Sequence, residues 1–337
     1  MRRSPKFICY SSGGIDLQIN GALGIAFNEL NSENSASLAK VCEYLWNCGI
    51  DGFLPTLVTN APEKILSSLA AIHQAIAQLK NAPNSAQILG VHLECAFFHP
   101  DRRGAHPREY LKPLTIDSLK QLVGDHLEII KLITLAPELD VTNTVIPFLV
   151  ERGIIVSLGH STATSRQAQS AFNLGATMVT HAFNAMPPLH HREPGLLGAA
   201  ILNPRVYCGL IADGVHVHPQ MVEILWRLKG KEIVLVSDAL APLGLPDGIY
   251  PWDDRTIEIK DFTARLPDGT LSGTTLSLFD CVQNLVIWGI CSPQEAIALA
   301  TESPRKVLNL PLFPASLAWY WQEEEAQLTW ERCDGYR

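Results

Sequence analysis

A short apolar run followed by a stretch of helical spacing recurs eight times between Gly14 and Asp238, and this repeat constrains the fold more than any other feature. The runs cover 14–19, 52–57, 88–94, 129–135, 154–159, 178–183, 206–211 and 233–237. They are continuously apolar rather than alternating, the pattern of parallel strands buried on both faces. Between them, Leu38, Val41, Cys42, Leu45 and Trp46 follow helical spacing until Gly49 stops the run, and 167–174 behaves likewise before Gly175. Eight β-then-α units predict a (β/α)8 TIM-type barrel. The competing doubly wound sheet lacks a G-x-G-x-x-G after its first strand, so the barrel is favoured.

Past Asp238 the pattern changes. Thr256–Ile259 and 263–266 read as a hairpin followed by a turn at Pro267-Asp268-Gly269. Two helical segments follow near 278–288 and 293–300, and the aromatic tail 318–330 predicts two more strands. The expected organisation is a barrel core over 13–243, a β-hairpin insertion over 244–275 and helices completing the barrel over 276–310. Segments 1–12 and 311–337 are expected to be the remnant of a small β-domain.

Composition excludes several functions. Apolar residues make up 47% of 337 residues and charged ones 18%, which suits a large core and argues against disorder. Net charge is −8 with no basic block, so nucleic acid is not an expected partner. No apolar run approaches the roughly 18 residues that span a bilayer. Met1-Arg2-Arg3 is not followed by the apolar stretch of a secretory signal, and the eight cysteines show no C-x-x-C pairing. A cytoplasmic protein with reduced thiols is expected.

Chemistry in such barrels sits at the C-terminal strand ends. There this chain places Asp16, Gln18 and Asn20 (strand one), His92 and Glu94 (three), His160 (five), His181 (six), Asp213 and His216 (seven) and Asp238 (eight). A buried strand has no packing reason to end repeatedly in imidazole or carboxylate. Glu94, His160 and His181 suit a divalent metal such as Zn²⁺ with one position open for water, which is hydrolase chemistry. Asp238 would act as general base and then general acid, or would cap the turn that follows it; the two roles are compatible.

Several motifs together carry a family resemblance. They are Gly14-Ile15-Asp16-Leu17-Gln18-Ile19-Asn20-Gly21, Gly90-Val91-His92-Leu93-Glu94, Arg103-Gly104-Ala105-His106, Ser157-Leu158-Gly159-His160-Ser161 and Thr180-His181-Ala182-Phe183-Asn184-Ala185-Met186. Pro188 to Gly195, Ala212-Asp213-Gly214-Val215-His216, Val236-Ser237-Asp238-Ala239 and Leu271-Ser272-Gly273 complete the set. Over about 13–310 the chain resembles the N-acetylglucosamine-6-phosphate deacetylases of the amidohydrolase superfamily. The resemblance implies hydrolysis of the acetamide of N-acetyl-D-glucosamine 6-phosphate to D-glucosamine 6-phosphate and acetate.

The same resemblance implies one divalent ion per subunit on Glu94, His160 and His181, Zn²⁺ first and Fe²⁺ or another ion as alternatives. It makes Asp238 catalytic and has His106 polarise the acetyl carbonyl. Substrate contacts would fall on Ala105, His106, Asn184, Ala185, Arg192, Asp213 to His216, and Leu271, Ser272 and Gly273. Arg192 and His216 suit the phosphate and sugar hydroxyls. In this family the arginine reaches the neighbouring subunit's site, which implies a homodimer. Gln18-x-Asn20 stands where many amidohydrolases carry His-x-His for a second metal; amides are poor zinc ligands, so a single-metal site with a water held by Gln18 and Asn20 is implied. His190 and His191 read as loop residues, and His73, His99, His126 and His218 as surface or packing residues.

The chain departs from the family in two places. Cys95-Ala96 stands where Gly-Pro is usual after the ligand glutamate; a Cβ at 95 disfavours positive φ, and the loss of proline frees the turn. Only 12 residues precede Gly13, fewer than the family carries, so the β-domain is expected to be incomplete. Two other readings therefore stand beside the deacetylase: a weakened or inactive homologue that binds amino-sugar phosphates, and an amidohydrolase with another N-acyl substrate.

Overall fold

A computed structural model describes residues 5–311 and 315–333; Met1-Arg2-Arg3 and parts of the outer segments lie outside the described residues. The parallel strands pair in chain order: Gly14–Ile19, Ile50–Val58, Val91–Glu94, Ile130–Leu135, Ile155–Leu158, Met178–Val179, Tyr207–Leu210 and Ile233–Leu235. The ladder closes on itself just beyond the last strand. The Asp238 N–H donates to the Gln18 carbonyl (2.9 Å), the Asn20 N–H donates to the Ala239 carbonyl (2.7 Å), and Ile19 pairs with Ala239. The result is a (β/α)8 barrel, as the repeat implies.

Helices follow the strands for identifiable local reasons. Leu38–Asn47 buries Leu38, Val41, Cys42 and Leu45 on one stripe against the barrel wall. Ser165–Asn173 starts at a capping box in which Thr164 and Gln167 satisfy each other's backbone N–H groups. Pro62 and Pro293 occupy first-turn positions where a missing N–H costs nothing. Side chains of the strands divide between two layers. Ile133, Leu135, Val156, Leu158 and Leu235 pack outward against the helices, while Leu54, Leu132, Met178, Ile211, Val234 and Val236 form a smaller cluster with Ile15 and Leu17 inside the barrel.

Above that apolar plug lies a buried polar layer. His92 Nε2 is 2.8 Å from Thr134 Oγ1, which is 2.7 Å from Thr180 Oγ1, itself 2.6 Å from Ser157 Oγ. Mutual hydrogen bonding removes most of the cost of burying these groups.

The 244–275 stretch is more than the hairpin expected. Gly248–Trp252, Arg255–Lys260, Thr263–Arg265 and Leu271–Thr274 make a four-stranded antiparallel sheet whose centre is the anticipated hairpin. Pro251 lies on its edge strand, where a missing N–H is tolerated. The strand Leu271–Thr274 is stitched to the barrel rim: the Leu240 N–H donates to the Thr274 carbonyl (2.9 Å) and the Thr274 N–H to the Asp238 carbonyl (3.1 Å). Ile257, Ile259, Ala264 and Leu266 pack with Ala105 and Leu240, so this sheet roofs the mouth of the barrel.

The aromatic tail forms the two strands expected of it. Leu317–Gln322 pairs with Lys6–Ser11 on one side and Gln327–Arg332 on the other in a separate antiparallel sheet. Asp51 joins this sheet to the barrel. Its carboxylate accepts from the Gly13 N–H (2.7 Å), Arg305 Nη2 (3.1 Å) and Arg332 Nη1 (3.1 Å). Arg305 is fully buried. Removing its partner leaves a desolvated guanidinium, so Asp51→Ala is expected to lower unfolding free energy by about 3 kcal/mol in urea titration. An unchanged midpoint would show that this ion-pair cluster does not hold the sheet to the barrel.

Candidate active site

The barrel rim collects the side chains singled out at the strand ends. Ligand atoms of Glu94, His160 and His181 all lie within 4.8 Å of one another, and all three residues are buried. His160 Nε2 and His181 Nε2 face each other at 3.0 Å, and each faces Glu94 Oε1, at 3.5 and 3.2 Å. His160 Nδ1 donates to the Arg102 carbonyl (2.9 Å), which leaves its Nε2 as a lone pair aimed into the cluster. Phe98 stacks on the ring at 4.2 Å and 19° and fixes its plane.

The donor set fits a divalent cation. A neutral imidazole whose lone pair confronts a carboxylate oxygen and a second imidazole nitrogen is repulsive unless a positive charge lies between them. Burial opposes ionisation of Glu94, yet the facing imidazoles of His160 and His181 hold its carboxyl well below the usual range. Burial also lowers His160. His181 is raised despite burial, because it bonds to Glu94.

Backbone geometry explains how strand ends turn these side chains over the cavity. His160, His181 and Asp238 have φ of +48°, +28° and +47°, the left-handed region that costs a non-glycine residue about 1 kcal/mol or more. Three of the fifteen described non-glycine residues with positive φ are thus chemical ones.

Asp238 faces the Glu94–His160–His181 cluster across two amides. Gln18 Nε2 lies 3.0–3.2 Å from both Glu94 oxygens and from Asp238 Oδ1, while Asn20 Nδ2 donates to Asp238 Oδ1 at 2.9 Å. Burial and then the charge of Glu94 push the Asp238 carboxyl up to about 6. Asn20 Oδ1 is buried with no partner. Asp16 is structural: it accepts from the Gln18 and Ser237 N–H groups and ties strand one to strand eight. His92 belongs to the polar layer inside the barrel, and burial lowers it to about 4.

The cavity over these groups holds about 250 Å³ and opens between the rim and the roof sheet. That is below the roughly 300–1,000 Å³ usual for drug-sized ligands and suits a single sugar ring. Of the expected substrate residues, Ala105, His106, Asn184, Ala185, His216, Leu271, Ser272 and Gly273 line it. Asp213 stands behind His216, bonding Nδ1 at 2.6 Å and accepting the His216 N–H, so the ring's other nitrogen is the one free to meet a ligand. Arg192 does not line this cavity; it is exposed, with Nη1 2.8 Å from His191 Nε2.

The sequence reading missed Thr59, Trp252 and Arg255. Trp252 lines the cavity from the roof sheet. Arg255 donates to the Ala105 carbonyl at 2.9 Å and clamps the loop that carries His106. The strand-end rule could have found Thr59, because it closes the second apolar run; the other two depend on the roof folding back.

The Cys95-Ala96 departure acts differently from the expectation. Positive φ falls on Ala96 (+71°), not on residue 95, so the Cβ of Cys95 meets no such strain. Cys95 is fully buried, burial pushes its thiol up, and it is outside the metal cluster.

Residues 10–312 match the amidohydrolase family. The chain is 36% identical over 309 residues to N-acetylglucosamine-6-phosphate deacetylase of Homo sapiens, covering 88% of this chain and 74% of that one. It is 35% identical over 297 residues to N-acetylgalactosamine-6-phosphate deacetylase of Escherichia coli O157:H7, covering 88% and 77%. The crystal structure of N-acetylglucosamine-6-phosphate deacetylase from Pasteurella multocida superposes with a TM-score of 0.84 at 29% identity, covering 96% and 86%.

If the cluster is the metal centre, Glu94→Gln or His181→Asn should lower bound zinc from about one per chain towards zero in elemental analysis, with the far-ultraviolet spectrum unchanged. Full metal content in both variants would place the ion elsewhere.

Proposed function

The chain belongs to the amidohydrolase family, and from this premise we propose that it hydrolyses the acetamide of N-acetyl-D-glucosamine 6-phosphate to D-glucosamine 6-phosphate and acetate. The observation that carries this reading is the Glu94–His160–His181 cluster with Asp238 beside it, at the floor of a cavity sized for one sugar. A divalent ion held by those three residues would polarise the amide carbonyl and acidify the attacking water. Zn²⁺ is the first choice for two imidazoles, one carboxylate and an open position, with Fe²⁺ the alternative.

The chain's own groups supply the rest. Asp238 accepts the proton of the attacking water and returns it to the departing nitrogen, because the amine must leave protonated. The amides of Gln18 and Asn20 orient Asp238 by donating to Oδ1. Asn20 Oδ1, buried and unpaired, is the atom suited to accept from a water. His106 is neutral, since burial and then the neighbouring His160 hold it well below its ordinary value, and it serves as a donor to the acetyl oxygen. His216, braced by Asp213, contacts sugar hydroxyls.

Arg192 is proposed to bind the 6-phosphate of the partner subunit's substrate in a homodimer. What supports this is its exposure and its position off its own cavity. A cytoplasmic location fits such a metabolic role; among the described residues no helix is long and apolar enough to cross a membrane. A second reading, the galactose epimer as substrate, is favoured by the near-equal identity to the two named deacetylases, 36% and 35%.

Acetate release from both N-acetylhexosamine 6-phosphates, and from N-acetylglucosamine without phosphate, tests these readings together. The glucosamine phosphate should be turned over fastest, chelation should abolish the rate and zinc restore it. Metal-loaded protein that binds the sugar phosphates without releasing acetate would instead favour the inactive homologue. Asp238→Asn should lower kcat by about 10³-fold with metal retained. Arg192→Ala should raise KM by roughly 10- to 100-fold for the phosphorylated sugars alone, the loss of one charged hydrogen-bond pair; equal effects with and without phosphate would remove Arg192 from the phosphate site.

A further inference from the structure

His106 lines the cavity while its Nδ1 faces the barrel rim, and the rim side belongs to Thr59. Thr59 follows strand Ile50–Val58 and is buried. Its backbone N–H donates to His106 Nδ1 at 3.3 Å, and its Oγ1 lies 3.0 Å from the same nitrogen. That Oγ1 also accepts the N–H of Ala96 at 3.1 Å. A hydroxyl carries one proton. It also has two lone pairs, of which the Ala96 N–H takes one, so the hydroxyl alone could donate to Nδ1 or accept from it; the Thr59 N–H aimed at the same nitrogen decides for donation. An N–H and an O–H therefore converge on one ring nitrogen, which must be the unprotonated one, and a neutral imidazole then carries its proton on Nε2.

We propose that Thr59 is a positioning residue that holds His106 as the Nε2–H tautomer, so that the ring presents a hydrogen-bond donor to the acetyl oxygen of the substrate. The role of that donor rests on the deacetylase reading above; the tautomer stands on the contacts of Thr59 and Ala96 alone. Residue 96 is part of the device, because its N–H orients the Thr59 hydroxyl and its φ of +71° is closed to proline, which also has no N–H. The ring cannot easily leave this arrangement. Phe98 meets it edge-on at 4.9 Å, Arg103 Nη1 donates to the His106 carbonyl at 3.1 Å, and Arg255 holds the preceding carbonyl. The opposite tautomer would set Nδ1–H against the Thr59 N–H and turn a lone pair towards the acetyl oxygen, removing the stabilisation of developing negative charge.

Nitrogen-15 NMR of histidine-labelled, zinc-loaded protein reads the tautomer directly. The wild type should show His106 with Nδ1 unprotonated and Nε2 protonated. Thr59→Val keeps the backbone donor and deletes the hydroxyl; it should give mixed tautomers and a kcat about 10- to 100-fold lower, the usual scale for a group acting through another, with KM little changed. Thr59→Ser should restore both. A wild-type ring protonated on Nδ1 overturns the proposal, as does Thr59→Val of unchanged zinc content with the kcat and spectrum of the wild type. Should Thr59→Val fail to fold, the wild-type spectrum and Thr59→Ser decide it. The expected wild-type tautomer without acetate release from any amino-sugar phosphate would sink the deacetylase reading and leave the tautomer assignment standing.

Discussion

Two backbone hydrogen bonds, from Asp238 to Gln18 and from Asn20 to Ala239, are the seam on which the molecule depends. Without them the parallel sheet would keep two open edges, each a row of unpaired donors and acceptors. With them it becomes a barrel, and the residues that close it also bear the side chains that orient the proposed base. Gln18 and Asn20 donate to the Asp238 carboxylate while their main chains close the seam. Asp238 manages both tasks by adopting a left-handed backbone, which releases its carbonyl to receive Thr274 and so suspends the roof sheet. Closure, base and roof meet at one residue.

Much of this was legible because parallel strands buried on both faces leave a coarse signal. A run that must be apolar throughout makes any carboxylate or imidazole at its end conspicuous, and Glu94, His160, His181 and Asp238 were found that way. Boundaries were less legible. The run 178–183 shrinks to Met178–Val179, because His181 and Phe183 adopt positive φ and break the strand. The outer strands of the roof leave a weak signal, because one carries a proline and the other a glycine. Trp252 and Arg255 reach the site only after that sheet folds back, a long-range event with no local pattern. Thr59 is within reach of the strand-end rule, but a hydroxyl there is less conspicuous than a carboxylate or an imidazole.

The pair Cys95-Ala96 shows how a substitution reads differently in sequence and in space. In the sequence the conspicuous change is the Cβ added at 95. In the fold that side chain packs as a small apolar group, and the burden falls on Ala96, whose left-handed backbone costs about 1 kcal/mol. Both polar groups of Ala96 are used in return: its N–H binds Thr59, and its carbonyl accepts from Lys112 at 2.8 Å. A local strain is thereby held in place by contacts that also shape the site.

The roof sheet has a consequence for how such a protein can change over generations. The proposed metal ligands come from barrel strands, whereas Trp252 and Leu271 to Gly273 come from an insertion placed after the last of them. Mutations in the insertion can reshape the ceiling above a ligand while the reactive floor stays as it is. Part of the ceiling above a ligand is thus inherited on a stretch of the gene separable from the one that carries the reactive floor, while the barrel loops hold the remaining walls.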